Sequence, residues 1–115
     1  MLILEKQIDI FCNPINGAEP FKKWFMHLEK IDKAIVINRM KRVRQGNYGD
    51  YKSVGDGILE LRFNQGFRIY FTEVDNVIIL LLCGGDKSTQ QKDIEKAKEY
   101  NKILKEKGIE NCTKD

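Results

Sequence analysis

Two arginines and a tyrosine stand inside one apolar stretch, "LRFNQGFRIYF" at residues 61–71: Arg62, Arg68 and Tyr70. Lys52 precedes this stretch and Lys87 follows it. Guanidinium and ammonium groups hold phosphate oxygens, and a phenol or an amine can move a proton. Brought together, the five would make a phosphate site able to support chemistry at phosphorus. A basic run, "RMKRVRQGNYGDYK" at 39–52, adds Arg39, Lys41, Arg42 and Arg44 against the single acid Asp50. Such a cluster binds phosphates; it is equally a solvated helix end whose cations favour the C-terminal dipole.

Convergence depends on the register of one hairpin. Side chains alternate along a strand, and directly opposed residues share a face. Leu59, Leu61 and Phe63 form one apolar row, and Phe67, Ile69 and Phe71 another. A two-residue turn at Gln65-Gly66 would oppose Phe63 to Arg68 and mix the faces. A three-residue loop, Asn64-Gln65-Gly66, opposes Phe63 to Phe67, with Gly66 at the position that needs a positive φ. That register sets Arg62 across from Arg68 and Glu60 across from Tyr70. A two-residue turn at Asp75-Asn76 then sets Leu81 opposite Tyr70 and Cys83 opposite Arg68, with Ile79 and Leu81 on the arginine face. Those two are too apolar for open water, so a partner protein is expected to cover them. Opposed like charges destabilise a sheet unless an anion lies between them. Either a bound phosphate or Glu60 can serve.

The elements that carry these residues are readable in outline. Residues 3–11 alternate loosely as a first strand. Pro20 opens a helix whose stripe is Phe21, Trp24, Phe25, Leu28 and Ile31. Asp32 can cap a second helix, with Val36, Ile37, Met40 and Val43 as its buried side and Gly46 at its end. A short link makes the two a helical hairpin. Strands follow at roughly 57–64, 67–74 and 77–83. A last helix starts near Ser88, which with Gln91 forms a capping-box pattern, and stops at Gly108. "GGDKST" at 84–89 lacks P-loop spacing, and a strand end followed by a helix cap accounts for it.

The chain's 115 residues, 42% of them hydrophobic, make one domain with one real core, its tail at 109–115 frayed. The net charge of +3 is only mildly basic. Three cysteines without metal spacing read as reduced thiols of a cytoplasmic protein. The single histidine, His27, excludes mechanisms that need a histidine pair. No stretch reads as a signal peptide or a membrane span.

Three segments, "GNYGDYKSVGDGILELRF", "GFRIYF" and "LLLCGGDKSTQQKDIEKA", resemble the RelE/ParE superfamily of toxins from type II toxin–antitoxin systems, in particular the phage-derived, HigB-like addiction-module killer proteins. The resemblance spans about residues 18–100. It implies an α+β fold, a helical hairpin packed on a mainly antiparallel sheet with a C-terminal helix. It implies a cytoplasmic toxin held by a cognate antitoxin, usually a helix-turn-helix protein. Many relatives are metal-independent endoribonucleases that cut mRNA on the ribosome; others poison DNA gyrase without cutting anything. Neither activity calls for a cofactor. Residue by residue, the family's basic residue after the second helix matches Lys52, its strand arginine matches Arg68, its tyrosine matches Tyr70 and its earlier arginine matches Arg62. The arginine and tyrosine that the best-known nucleases keep near the last strand have no counterpart before Tyr100; Lys87 stands there instead.

Overall fold

The computed structural model describes residues 5–114. Five strands and three helices follow in chain order: β1 (Gln7–Ile10), α1 (Pro20–Met26), α2 (Lys30–Arg44), β2 (Tyr51–Gly55), β3 (Ile58–Arg62), β4 (Phe67–Val74), β5 (Ile78–Asp86) and α3 (Gln90–Lys107). They build the expected α+β architecture. One sheet runs in the order β1-β5-β4-β3-β2, antiparallel except where β1 lies parallel to β5. Residues 3 and 4 of the expected first strand lie outside the described residues.

The hairpin β3–β4 has the register that its apolar rows demand. Leu59 pairs with Phe71, Leu61 with Ile69, Glu60 with Tyr70 and Arg62 with Arg68. Gly66 carries a φ of 96°, so the three-residue loop closes without strain. Leu61, Phe63, Phe67, Ile69 and Phe71 face α1 and α2 in a core with Phe21, Val36, Val43 and Tyr48. Within the helical hairpin the buried residues of α2 are Val36, Arg39 and Val43, whereas Ile37 is half out and Ile31 is 73% exposed.

The next turn departs from expectation, and two slips explain it. Asp75 and Asn76 do adopt positive φ, and the Val77 N–H donates to the Val74 carbonyl. Yet Val74 pairs with Ile78, so Val77 is passed over. A bulge between Tyr70 and Phe71 then takes up a second residue: Phe71 pairs with Leu81, but Tyr70 pairs with Cys83. The first slip moves Ile79 and Leu81 off the arginine face and into the core beneath α1 and α2, where each is almost fully buried. Neither is an exposed partner contact; they are core. Leu80, Leu82 and Cys83 point the other way, with Ile58 and Tyr70, into a second core roofed by α3. What covers that face is the chain's own C-terminal helix.

Two adjacent glycines let β5 carry a helix on each side. A Cβ on Gly84 would land inside the Trp24 indole of α1, and one on Gly85 would land on the Asp93 carboxylate of α3. Gly84→Ala is therefore expected to cost roughly 1–3 kcal/mol by overpacking. A urea melt checks this; an unchanged midpoint would show that Trp24 is free to move. The helix cap also differs from the sequence reading. Asp86, not Ser88, accepts from the Ser88 N–H at 2.8 Å, and α3 begins only at Gln90. The segment after Gly108 is not frayed over its described length. Cys112 is fully buried, and its carbonyl accepts from the Cys12 N–H at 2.7 Å.

Candidate functional site

Four strands and the start of α3 hold the residues that the hairpin register brings together. Two cross-strand rows lie side by side on the α3 face of the sheet. One runs Lys52, Glu60, Tyr70, Cys83; the other runs Arg62, Arg68, Gly85. β2 is the outer strand, and Lys52 on it is exposed.

Glu60 is the hub of the arrangement. Its side chain is fully buried, and burying a carboxylate requires partners. It has three. The Tyr70 hydroxyl donates at 2.9 Å, Gln90 Nε2 at 2.9 Å, and Arg68 Nη1 at 3.3 Å. The Arg68 side chain retains only 12% of its exposure. Arg62 is paired differently, with Asp50 at 3.3 Å, and that carboxylate is open to solvent. Each arginine thus has one acid, but neither is saturated. Among the described residues, the buried side-chain nitrogens and oxygens with no hydrogen-bond partner are Arg62 Nε and Arg68 Nε. These two donors, on directly opposed residues, lie just beneath the surface and each lacks the acceptor that a buried N–H requires.

Tyr70 cannot be the proton-moving phenol of this site. It is fully buried, its proton lies on the bond to Glu60, and burial with the adjacent carboxylate pushes its phenol well above the ordinary range. The Arg68 charge opposes this but is the smallest contribution. Tyr70 can therefore neither serve as a base nor stack on a nucleobase; its role is to satisfy Glu60.

The basic run of α2 splits in three directions, as helical geometry requires. Arg39 turns inward. Its Nε donates to the Tyr48 carbonyl at 2.8 Å, Nη1 to that of Arg62 at 3.0 Å and Nη2 to that of Asp50 at 2.8 Å. Its guanidinium also lies 4.8 Å from the centre of the Phe63 ring. Arg39 is a staple for the chain entering β2 rather than a phosphate ligand. Arg42 lines a shallow hollow at the sheet's edge with Asp50, Arg62 and Gln65. Lys41 and Arg44 border a different groove, over Ile8, Ile10 and Met40, and Arg44 pairs with Glu5. Lys87 is exposed beyond the end of β5 and shares a hollow with Gln65, Gly66 and Phe67 rather than with Arg62 and Lys52.

Asp50 and Gln90 escaped the sequence reading. Asp50 was visible as the one acid in a basic run, which is a usable signal. Gln90 had none, because it reaches Glu60 across thirty positions through the docking of α3.

Residues 23–102 match the family described as phage-derived protein Gp49-like. An uncharacterized protein of Haemophilus influenzae is 51% identical over 81 residues, which is 68% of this chain and 82% of that one. No helix among the described residues is long and apolar enough to cross a membrane. With most of its length matched, including every strand that carries the arginine face, the chain belongs to the Gp49-like family of phage-derived proteins, a family related to the RelE-type toxins.

Proposed function

We propose that this protein is the toxin of a toxin–antitoxin pair and that Arg62 and Arg68 form a phosphodiester site for ribosome-dependent cleavage of mRNA. The observation that carries the reading is the opposed arginine pair with both Nε donors buried and unpartnered. Cleavage by internal attack needs no metal. The 2′-oxygen gives up its proton and bonds to the neighbouring phosphorus. The P–O5′ bond breaks, leaving a cyclic phosphate, and the 5′-oxygen takes a proton. The two guanidiniums hold the charge that builds on the phosphorane oxygens. Arg42 extends the positive surface along the strand, and Lys52 is the exposed amine beside the pair and the proton-transfer group. Lys87, at the end of β5, contacts the RNA backbone. A site this poor in acids and bases suits a substrate positioned by the ribosome. The cognate antitoxin, a helix-turn-helix protein, restrains the toxin.

One observation favours a second reading. With Tyr70 buried, the arginine face lacks a phenol, so it could bind a phosphodiester without cutting it, or the protein could act on DNA gyrase. Pulsed expression decides between them. Mapping mRNA 5′ ends while assaying supercoiling should reveal new ends within codons and unaltered supercoiling. Arrested cells with intact mRNA would remove the nuclease reading.

A further inference from the structure

We infer that Glu60 is a positioning residue that acts as an internal counter-anion, holding Arg68 in the absence of a phosphodiester and competing with it for the same guanidinium. The inference rests on the reading of the arginine pair as a phosphodiester site. It assigns Glu60 a function where burial alone would make it a structural carboxylate.

The geometry separates the two arginines by partner. Asp50, the partner of Arg62, is 65% exposed, so water and salt screen that pair and a phosphate can displace it at little cost. Glu60, the partner of Arg68, is fully buried and is held by three donors from two elements, Arg68 and Tyr70 of β4 and Gln90 of α3. It cannot leave. An incoming phosphate oxygen must therefore share Arg68 with a fixed negative charge a few ångströms away. The Arg68–Glu60 contact is itself long for a charged hydrogen bond, at 3.3 Å, and uses a terminal nitrogen only, leaving Nε free. One edge of the guanidinium is thus oriented by an anion, while the buried Nε edge has no acceptor of its own. Tyr70 and Gln90 set how much of Glu60's charge falls on Arg68: each donates to Oε2, while Arg68 binds Oε1. Because Gln90 is the first residue of α3, the docking of the C-terminal helix is coupled to the site.

The test measures binding alone, with a short single-stranded RNA whose 2′-hydroxyls are all methylated, followed by fluorescence anisotropy across a salt series. Glu60→Gln removes the competing charge and keeps the shape. It should tighten binding roughly tenfold at low salt, the scale of one partly released charged hydrogen bond. The salt dependence should steepen by about 0.7 in log–log slope, one further phosphate contact. Tyr70→Phe should act in the opposite direction. Losing a donor throws more of the carboxylate's charge onto Arg68, so binding should weaken roughly threefold, although Tyr70 cannot touch RNA. Unchanged or weaker binding by folded Glu60→Gln overturns the inference. If that variant does not fold, the Tyr70→Phe affinity decides, and an unchanged value overturns it. Failure of the wild-type protein to bind the oligonucleotide at all removes the underlying phosphodiester reading, whereas binding to it without cleavage of an unmodified message on the ribosome removes only the nuclease step.

Discussion

Arg62→Ala is expected to leave the protein folded and to slow mRNA cleavage by about 10²–10³, the usual cost of one transition-state charge contact. The first half follows from the pair that Arg62 makes. Asp50 is mostly solvent-exposed, and surface ion pairs of this kind contribute roughly 0–1 kcal/mol. Its removal also relieves the cross-strand repulsion with Arg68. The second half follows from the partly exposed guanidinium of Arg62 and its unpartnered Nε. Purified variant, reconstituted with ribosomes and a short message, gives the rate; a thermal melt gives the fold. A folded variant that cleaves at the wild-type rate would take Arg62 out of the site.

Arg68→Ala is expected to behave quite differently, losing about 3 kcal/mol of stability, because it leaves a buried carboxylate short of its one cationic partner. Cross-strand repulsion alone would make the substitution benign, since it removes a like charge opposite Arg62. The buried Glu60 reverses that sign. The two remaining donors, from Tyr70 and Gln90, soften the loss but supply no full charge. Urea titration measures it. The pair of substitutions Glu60→Gln and Arg68→Gln should recover most of the stability, as neutral partners replace ionic ones. A single variant that melts with the wild type would mean that Glu60 is solvated or neutral. This cost also makes Arg68→Ala a poor test of chemistry, because loss of toxicity would follow from unfolding alone; Arg62 is the cleaner probe.

The parts of the site that could be read from the sequence were those set by alternation and turn chemistry. Phe63 and Phe67 must share a face and Gly66 must close the loop, so Arg62 opposite Arg68 follows. β5 offered no such handle. "VIILLLC" is apolar at every position, so no alternation reports its face, and a bulge opposite Tyr70 leaves no mark in a uniform run. The assignment of Ile79 and Leu81 to the arginine face failed there. The α2 cations failed for another reason. Arg39 is satisfied by three backbone carbonyls, and carbonyls have no side-chain signature in a sequence. The cations around Tyr70 are legible in the sequence, but its burial is not: desolvation dominates its titration, and the arginine is a minor influence. The paired glycines mark a strand end in the sequence, but their use, one for Trp24 and one for Asp93, depends on both helix layers.

The central claim is that a phosphodiester sits between Arg62 and Arg68, and NMR of the arginine Nε–Hε groups tests it most directly. Each of the two buried Nε donors should give a resolved, slowly exchanging cross-peak, assigned by Arg62→Lys and Arg68→Lys. Titration with the methylated RNA should move both peaks together along one saturable curve, with Arg39 Nε, already bonded to the Tyr48 carbonyl, unmoved. RNA that saturates the protein while the Arg62 and Arg68 peaks stay in place would contradict the account.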